Sequence, residues 1–213
     1  MAANEDRVAR WVSYLSLLVA VLAVAVPYFQ QKAQLQEQLV GELSPVGESY
    51  VLTDLKIGDF GQVVQSRWRL TLSNIGSQKL SLLRYVVRHV DRKGLEQYTG
   101  LDGGIVDPSG STLSLPISLE GGETKVIELN IGTVVTRRVF SILESKSVDK
   151  RIPVMVGNLL LGREGIDLYE NAVSLREFEG GAYFVEARTR IRPTYLVELT
   201  SSRGSRFQIL AAQ

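Results

Sequence analysis

Arg188, Arg190 and Arg192 are the side chains whose spacing most suggests chemistry. They alternate with Ala187, Thr189 and Ile191, so on a strand the guanidinium groups stand on one face about 6–7 Å apart. A row of like charges costs energy unless something negative offsets it. The strip is therefore a candidate docking site for an acidic partner, a lipid headgroup or an anionic glycan. Glu177, Glu179 and Glu186 lie close by in sequence. Pairing with them would instead make the strip a solvated face laced with weak ion pairs.

The single histidine, His89, sits in Arg84-Tyr-Val-Val-Arg-His-Val-Asp-Arg-Lys93. A general base needs an orienting carboxylate and a nearby nucleophile. Asp91 shares its strand face, but Tyr85 and Val87, also on that face, supply no serine or threonine hydroxyl. A half-buried or sheet-surface histidine is the expectation. The chain has no cysteine, which removes disulfides, thiolate nucleophiles and thiolate metal ligands together. Gly100-Leu-Asp-Gly-Gly104, with Asp107 beyond it, lacks both the calcium-loop spacing and the Gly-Lys-Ser/Thr ending of a phosphate loop, and reads as a turn. Asp59-Phe-Gly61 spells a kinase tripeptide without the other kinase motifs. No catalytic, metal or cofactor-binding residue is assigned. A net charge of +1 argues against a nucleic-acid partner.

The elements that must position these residues fall into two kinds. Between Arg10 and Lys32 lie 21 residues without a formal charge, enough at about 1.5 Å per residue to cross the roughly 30 Å of a bilayer core. Trp11 and Tyr14 mark one end, Tyr28 and Phe29 the other, as an aromatic belt requires, and Pro27 falls in the last turn. A cleavable signal peptide would have a shorter apolar region and a basic start; here Glu5 and Asp6 precede it, although Ala23-Val-Ala25 resembles a cleavage site. Arg7 and Arg10 before the helix, against Lys32 after it, favour a cytoplasmic N-terminus and an extracytoplasmic domain, periplasmic in a bacterial inner membrane. Ser13, Ser16, Ala20 and Ala23 share one stripe of that helix, a face on which helix backbones can approach closely, either self-associating or meeting a partner subunit.

Gln30 to Leu43 is Gln-rich, with Leu35, Leu39 and Leu43 four residues apart and Gly41 as its weak point, which predicts a helical stalk ended by Ser44-Pro45. From Tyr50 the period changes to two. Trp68, Leu70 and Leu72 oppose Arg67, Arg69, Thr71 and Ser73. Leu113, Leu115, Ile117 and Leu119, then Ile127, Leu129 and Ile131, alternate on either side of Glu120-Gly-Gly-Glu123, which reads as a hairpin whose Pro116 marks an edge. Further strands are predicted near 50–58, 80–92, 152–157, 182–192, 195–200 and 206–211, and one helix over 134–145. Gly157-Asn-Leu-Leu-Leu-Gly162 reads as a buried strand or an exposed apolar loop.

These readings predict a mainly β protein: a cytoplasmic tail over 1–10, a transmembrane signal-anchor helix over 11–29, a helical stalk over 30–45, and an antiparallel immunoglobulin-like β-sandwich over 46–213. The function expected of it is that of a non-enzymatic, single-pass membrane interaction module, a subunit or accessory factor of a larger envelope complex. The alternatives are a binder of anionic glycan or lipid through the arginine strip, and a hydrolase working with carboxylates alone, which would need two of them about 5–10 Å apart in a cleft.

Overall fold

Apolar alternation along most of the chain after residue 38 folds it into two facing antiparallel sheets. The computed structural model describes residues 2–58, 61–90, 96–99, 102–178, 182–187 and 194–212. Helix α1 (Ala2–Leu35) leads into strands β1 (Leu39–Ile57), β2 (Gly61–Asn74), β3 (Leu80–Val90), β4 (Glu96–Thr99), β5 (Asp102–Val106), β6 (Ile117–Leu119) and β7 (Thr124–Thr136). Helix α2 (Arg137–Glu144), strand β8 (Arg151–Pro153) and helix α3 (Val154–Arg163) follow, then β9 (Val173–Glu177), β10 (Tyr183–Ala187), β11 (Thr194–Ser201) and β12 (Arg206–Ala212).

One sheet has the order β5-β7-β2-β1-β8; the other runs β12-β11-β3, with β4 and β6 both paired to β3; β9 and β10 form a separate hairpin. Every described pairing is antiparallel. The sheets close on a core that includes Trp68, Leu70, Leu72, Leu82, Leu129, Tyr195 and Val197. A second cluster, built on Tyr50, Leu52, Val64, Phe140, Leu143 and Leu161, lies where α2 and α3 take over from the second sheet as cover for the first.

Four expectations are corrected. The helical stalk over 30–45 stops short: the helix continues only to Leu35, where α1 ends, and β1 begins at Leu39. A spacing of four suits a helix, but it is also a multiple of two, so Leu39 and Leu43 share a strand face just as well. Gly41 between them is needed for close approach, since a Cβ there would come within 2.1 Å of Ile209 Cδ1. The Gly121-Gly122 turn joins no hairpin, because β6 pairs with β3 in one sheet and β7 with β2 and β5 in the other. The turn carries the chain from sheet to sheet. Gly122 has φ +76°, and a Cβ on Gly121 would meet the Ser77 carbonyl oxygen at 2.6 Å.

The strand predicted over 152–157 and the buried strand over Gly157–Gly162 are instead β8 followed by α3. A continuous apolar run does not separate strand from helix by periodicity. Pro153 at the N-cap starts the helix, and Gly157 lets it lie against Tyr50 and Leu143. Finally, the helix predicted over 134–145 begins three residues later, because Val134–Thr136 still pair with β2. Thr136 then caps it, its hydroxyl oxygen accepting from the Val139 N–H at 3.4 Å.

Among the described residues no helix is long and apolar enough to cross a membrane. The side chains described along α1 are Trp11 and Tyr14–Phe29. Leu15, Leu18, Val21, Leu22 and Val24 are all more than half exposed among the described residues.

The end of the sandwich next to α1 is tied by Asn74, which is 1% exposed. Its amide nitrogen donates to the carbonyls of Gln78 (2.8 Å), Leu119 (3.2 Å) and Glu120 (3.1 Å), and its amide oxygen accepts from the Gly76 N–H (3.1 Å). Replacing it strands several backbone groups at once. Asn74→Ala is expected to cost about 2–4 kcal/mol, read as a lower denaturant midpoint at unchanged slope; a midpoint within error of the parent would contradict this role.

Candidate binding cleft

The two apolar clusters do not merge completely, and the seam between them opens as a cleft of about 530 Å³. Four local features make it. The β1–β2 ladder slips between Pro45 and Tyr50, and Gly47 within the slip has φ +72°, which bows the strand outward. Residues Ser66–Trp68 of β2 form the floor, Val154 and Asn158 of α3 one wall, and the 166–169 loop with the β9–β10 hairpin the other.

The deepest part is aromatic. Trp68 packs edge-on against Tyr195 across the sheets, ring centroids 5.1 Å apart, and its indole N–H donates to the Ser66 hydroxyl at 2.9 Å. The Tyr195 hydroxyl shares a hydrogen bond with Thr133 at 2.6 Å and another with Tyr169; burial drives its pKa up, so it stays a neutral phenol. Tyr50 donates to Asn158 Oδ1 at 3.0 Å. The Asn158 amide nitrogen has no partner among the described residues. Tyr183 donates to the Met155 carbonyl at 2.6 Å, and burial raises its pKa as well. Phe184 stands at the mouth, 56% exposed.

The charges around the cleft are already spoken for. Asp167 is the carboxylate among the described lining residues. Its Oδ1 accepts from the N–H groups of Tyr169 (2.8 Å) and Asn171 (2.9 Å), and its Oδ2 from the Asn171 amide (2.8 Å), so it shapes its own loop. Arg67 faces Glu128 at 3.5 Å and Glu48 at 3.9 Å. Among the described residues no group of three or more histidines or carboxylates is placed to hold a metal ion.

The candidate residues from the sequence that are described lie outside the cleft lining. Arg188, Arg190 and Arg192 fall outside the described residues, as do Asp91, Glu179 and the Asp59-Phe60 pair. Glu177 is turned to Arg163 at 2.8 Å, and that guanidinium holds its pKa below the usual carboxylate range. Of the small-residue stripe, Ser16, Ala20 and Ala23 are exposed on α1, and the side chain of Ser13 is outside the description. Asp102 accepts from the Tyr85 hydroxyl and the Gly104 N–H, and Asp107 from Ser109 and Ser111, so both shape turns. His89 is half-buried on the inner face of β3, its ring 5.7 Å from that of Tyr195. Apart from Asn158, which lies in the Gly157–Gly162 stretch, the cleft residues were not singled out as a site in sequence because they come together from β1, β2, α3 and a hairpin far apart along the chain.

No family model matches the chain, and no curated protein is similar to it. Among solved structures, a family 123 glycoside hydrolase from Clostridium perfringens, described for glycolipid glycan hydrolysis, aligns at 8% identity with a TM-score of 0.31. The alignment takes in 81% of this chain and 27% of that one, so this chain spans about a quarter of the hydrolase. A likeness this slight carries no argument about fold or activity.

Burial lowers the pKa of His89 below its ordinary 6.5. As pH falls through 6.5 the unfolded chain takes up a proton that the folded chain resists. The stability tied to neutral His89 is present above that pH and is lost as pH drops below it. His89→Gln should therefore flatten the fall in urea midpoint between pH 7.5 and pH 5.5. An equally steep fall in the variant would show that the imidazole is not the group responsible.

Proposed function

We propose that the protein is a non-enzymatic, single-pass membrane-anchored interaction module, in which α1 is the anchor and the β domain, held outside the cytoplasm, is the recognising part. What supports the anchor is the exposure of α1. Leu15 and Leu17 (both 64%), Leu18 and Val21 (both 58%), Leu22 (51%) and Val24 (73%) point in every direction around the helix and are uncovered among the described residues. Each such side chain gains roughly 1.5–3 kcal/mol on leaving water, so a helix apolar all round requires an apolar surrounding. Lipid and the helices of partner subunits are the surroundings this reading assigns, with the exposed Ser16, Ala20 and Ala23 as the closest-approach face. The two facing sheets support an immunoglobulin-like sandwich as the finer description of the domain.

The cleft favours recognition over hydrolysis. Its described carboxylate, Asp167, spends both oxygens on its own loop, whereas a carboxylate hydrolase would need a pair free to face substrate.

Membranes bearing the full chain, washed with alkaline carbonate, are expected to retain it in the pellet with its N-terminus intact. Release into the supernatant, or a mature product beginning beyond Ala25, would overturn the anchor. Ser16→Leu with Ala20→Leu should reduce co-purification of partner subunits in mild detergent while leaving membrane retention unchanged.

A further inference from the structure

The chemistry of the cleft lining narrows what it can recognise. Its apolar contribution is aromatic and partly open: Tyr169 and Tyr183 are half-exposed and Phe184 more so. Its polar contribution is neutral, made of the Asn158 amide and the hydroxyls of Ser49 and Ser66. Of these, the Asn158 amide nitrogen is a donor with no partner among the described residues. Its described charged side chains are engaged within the protein, Asp167 in the hydrogen bonds of its own loop and Arg67 beside Glu128 and Glu48. Among the described residues an anionic ligand would meet no cation without a carboxylate beside it, and a cationic one only Asp167, whose oxygens already accept hydrogen bonds, so shedding hydration here is costly.

An extended peptide is served poorly as well. Strand addition needs a regular row of free backbone groups. The rim of the cleft offers Pro45, which has no N–H, and Gly47 at φ +72°, which breaks the alternation. What remains is a ligand with flat C–H faces, many hydroxyl groups and no net charge. Aromatic rings present a negative face to such C–H groups, and an amide with hydroxyls can exchange hydrogen bonds with the ligand's own. The volume, about 530 Å³, falls in the roughly 300–1,000 Å³ range of small-ligand clefts.

We propose that the seam cleft between the sandwich and the α3/β9–β10 cap binds a neutral saccharide, with Phe184, Tyr183 and Tyr169 supplying stacking faces and Asn158 a hydrogen-bond donor. The assignment deepens the reading of the domain as a recognition module and is independent of the anchor.

Trp68 supplies the readout. The chain has two tryptophans, so Trp11→Phe leaves Trp68, on the cleft floor, as the single emitter. The full-length Trp11→Phe protein, in a zwitterionic detergent free of sugar headgroups, is titrated with uncharged oligosaccharides of glucose, galactose, mannose and N-acetylglucosamine. Sulfated and uronic-acid oligosaccharides and a random peptide library are run alongside. A saturable shift in Trp68 emission with at least one neutral saccharide is expected. Asn158→Ala and Phe184→Ala should each weaken it about 10-fold or more, while Phe178→Ala, exposed but outside the cleft, leaves it unchanged. Phe184→Ala removes an exposed ring, so it carries the test if Asn158→Ala fails to fold. A response confined to peptides would overturn the saccharide and keep the recognition module. A response confined to anionic glycans would overturn the neutrality argument. Silence towards every probe, or equal loss with Phe178→Ala, would remove the cleft as a binding site.

Discussion

The edge-on contact between Trp68 and Tyr195 is the constraint on which the rest of the domain depends. Trp68 belongs to β2 at the centre of one sheet and Tyr195 to β11 at the centre of the other, and both are essentially removed from solvent. Each ring also carries a polar atom that needs a partner in the interior. Ser66 serves the indole; Thr133 and Tyr169 serve the phenol. Through Tyr169 the contact reaches out of the sandwich into the 166–169 loop, and so fixes the distance between the sheets and the helical cap. The cleft opens beside Trp68, with Tyr169 in its lining.

Most charged groups outside this seam are spent on building. Glu128 is nearly buried on the outer face of its sheet and is flanked by Arg67 at 3.5 Å and Arg69 at 3.7 Å. A carboxylate so placed is tolerable only with cations beside it, and the long arginine stems cover it as much as they neutralise it. Glu123 closes the Gly121-Gly122 turn by accepting from the Glu120 N–H at 2.6 Å, which pulls its pKa down.

What could be read from the residues was decided by how local its cause is. The alternation of Trp68, Leu70 and Leu72, and of Ile127, Leu129 and Ile131, appears in the structure as β2 and β7, because a strand half-buried in a sandwich must alternate. Strand existence was legible; strand partnership was not. Ile117 and Leu119 alternate correctly around the Gly-Gly turn, yet nothing local shows that they turn to β3 rather than β7. The leucines at 35, 39 and 43 fit two periods at once; Leu35 ends the helix, while Leu39 and Leu43 pair with β2, where Gly41 lies close under Ile209. The apolar run from Val154 to Leu161 was uninformative for the same reason. The cleft was out of reach because its parts, Tyr50, Ser66, Asn158 and Tyr183, meet through tertiary contacts that leave no short-range pattern.

The early start of β1 has a mechanical meaning. Gln36, Glu37 and Gln38 are all that separates α1 from the sheet. The Glu37 carboxylate is nearly enclosed, accepting from the Ser201 hydroxyl with Arg203 at 3.8 Å, while the Gln38 carbonyl accepts from the Ile75 N–H at 3.0 Å. A slack tether would swallow torque, as flexible linkers do. Here the junction is three residues long and two of them are bonded to the β2–β3 and β11–β12 tips, so the helix meets the sheets through contacts rather than through slack chain.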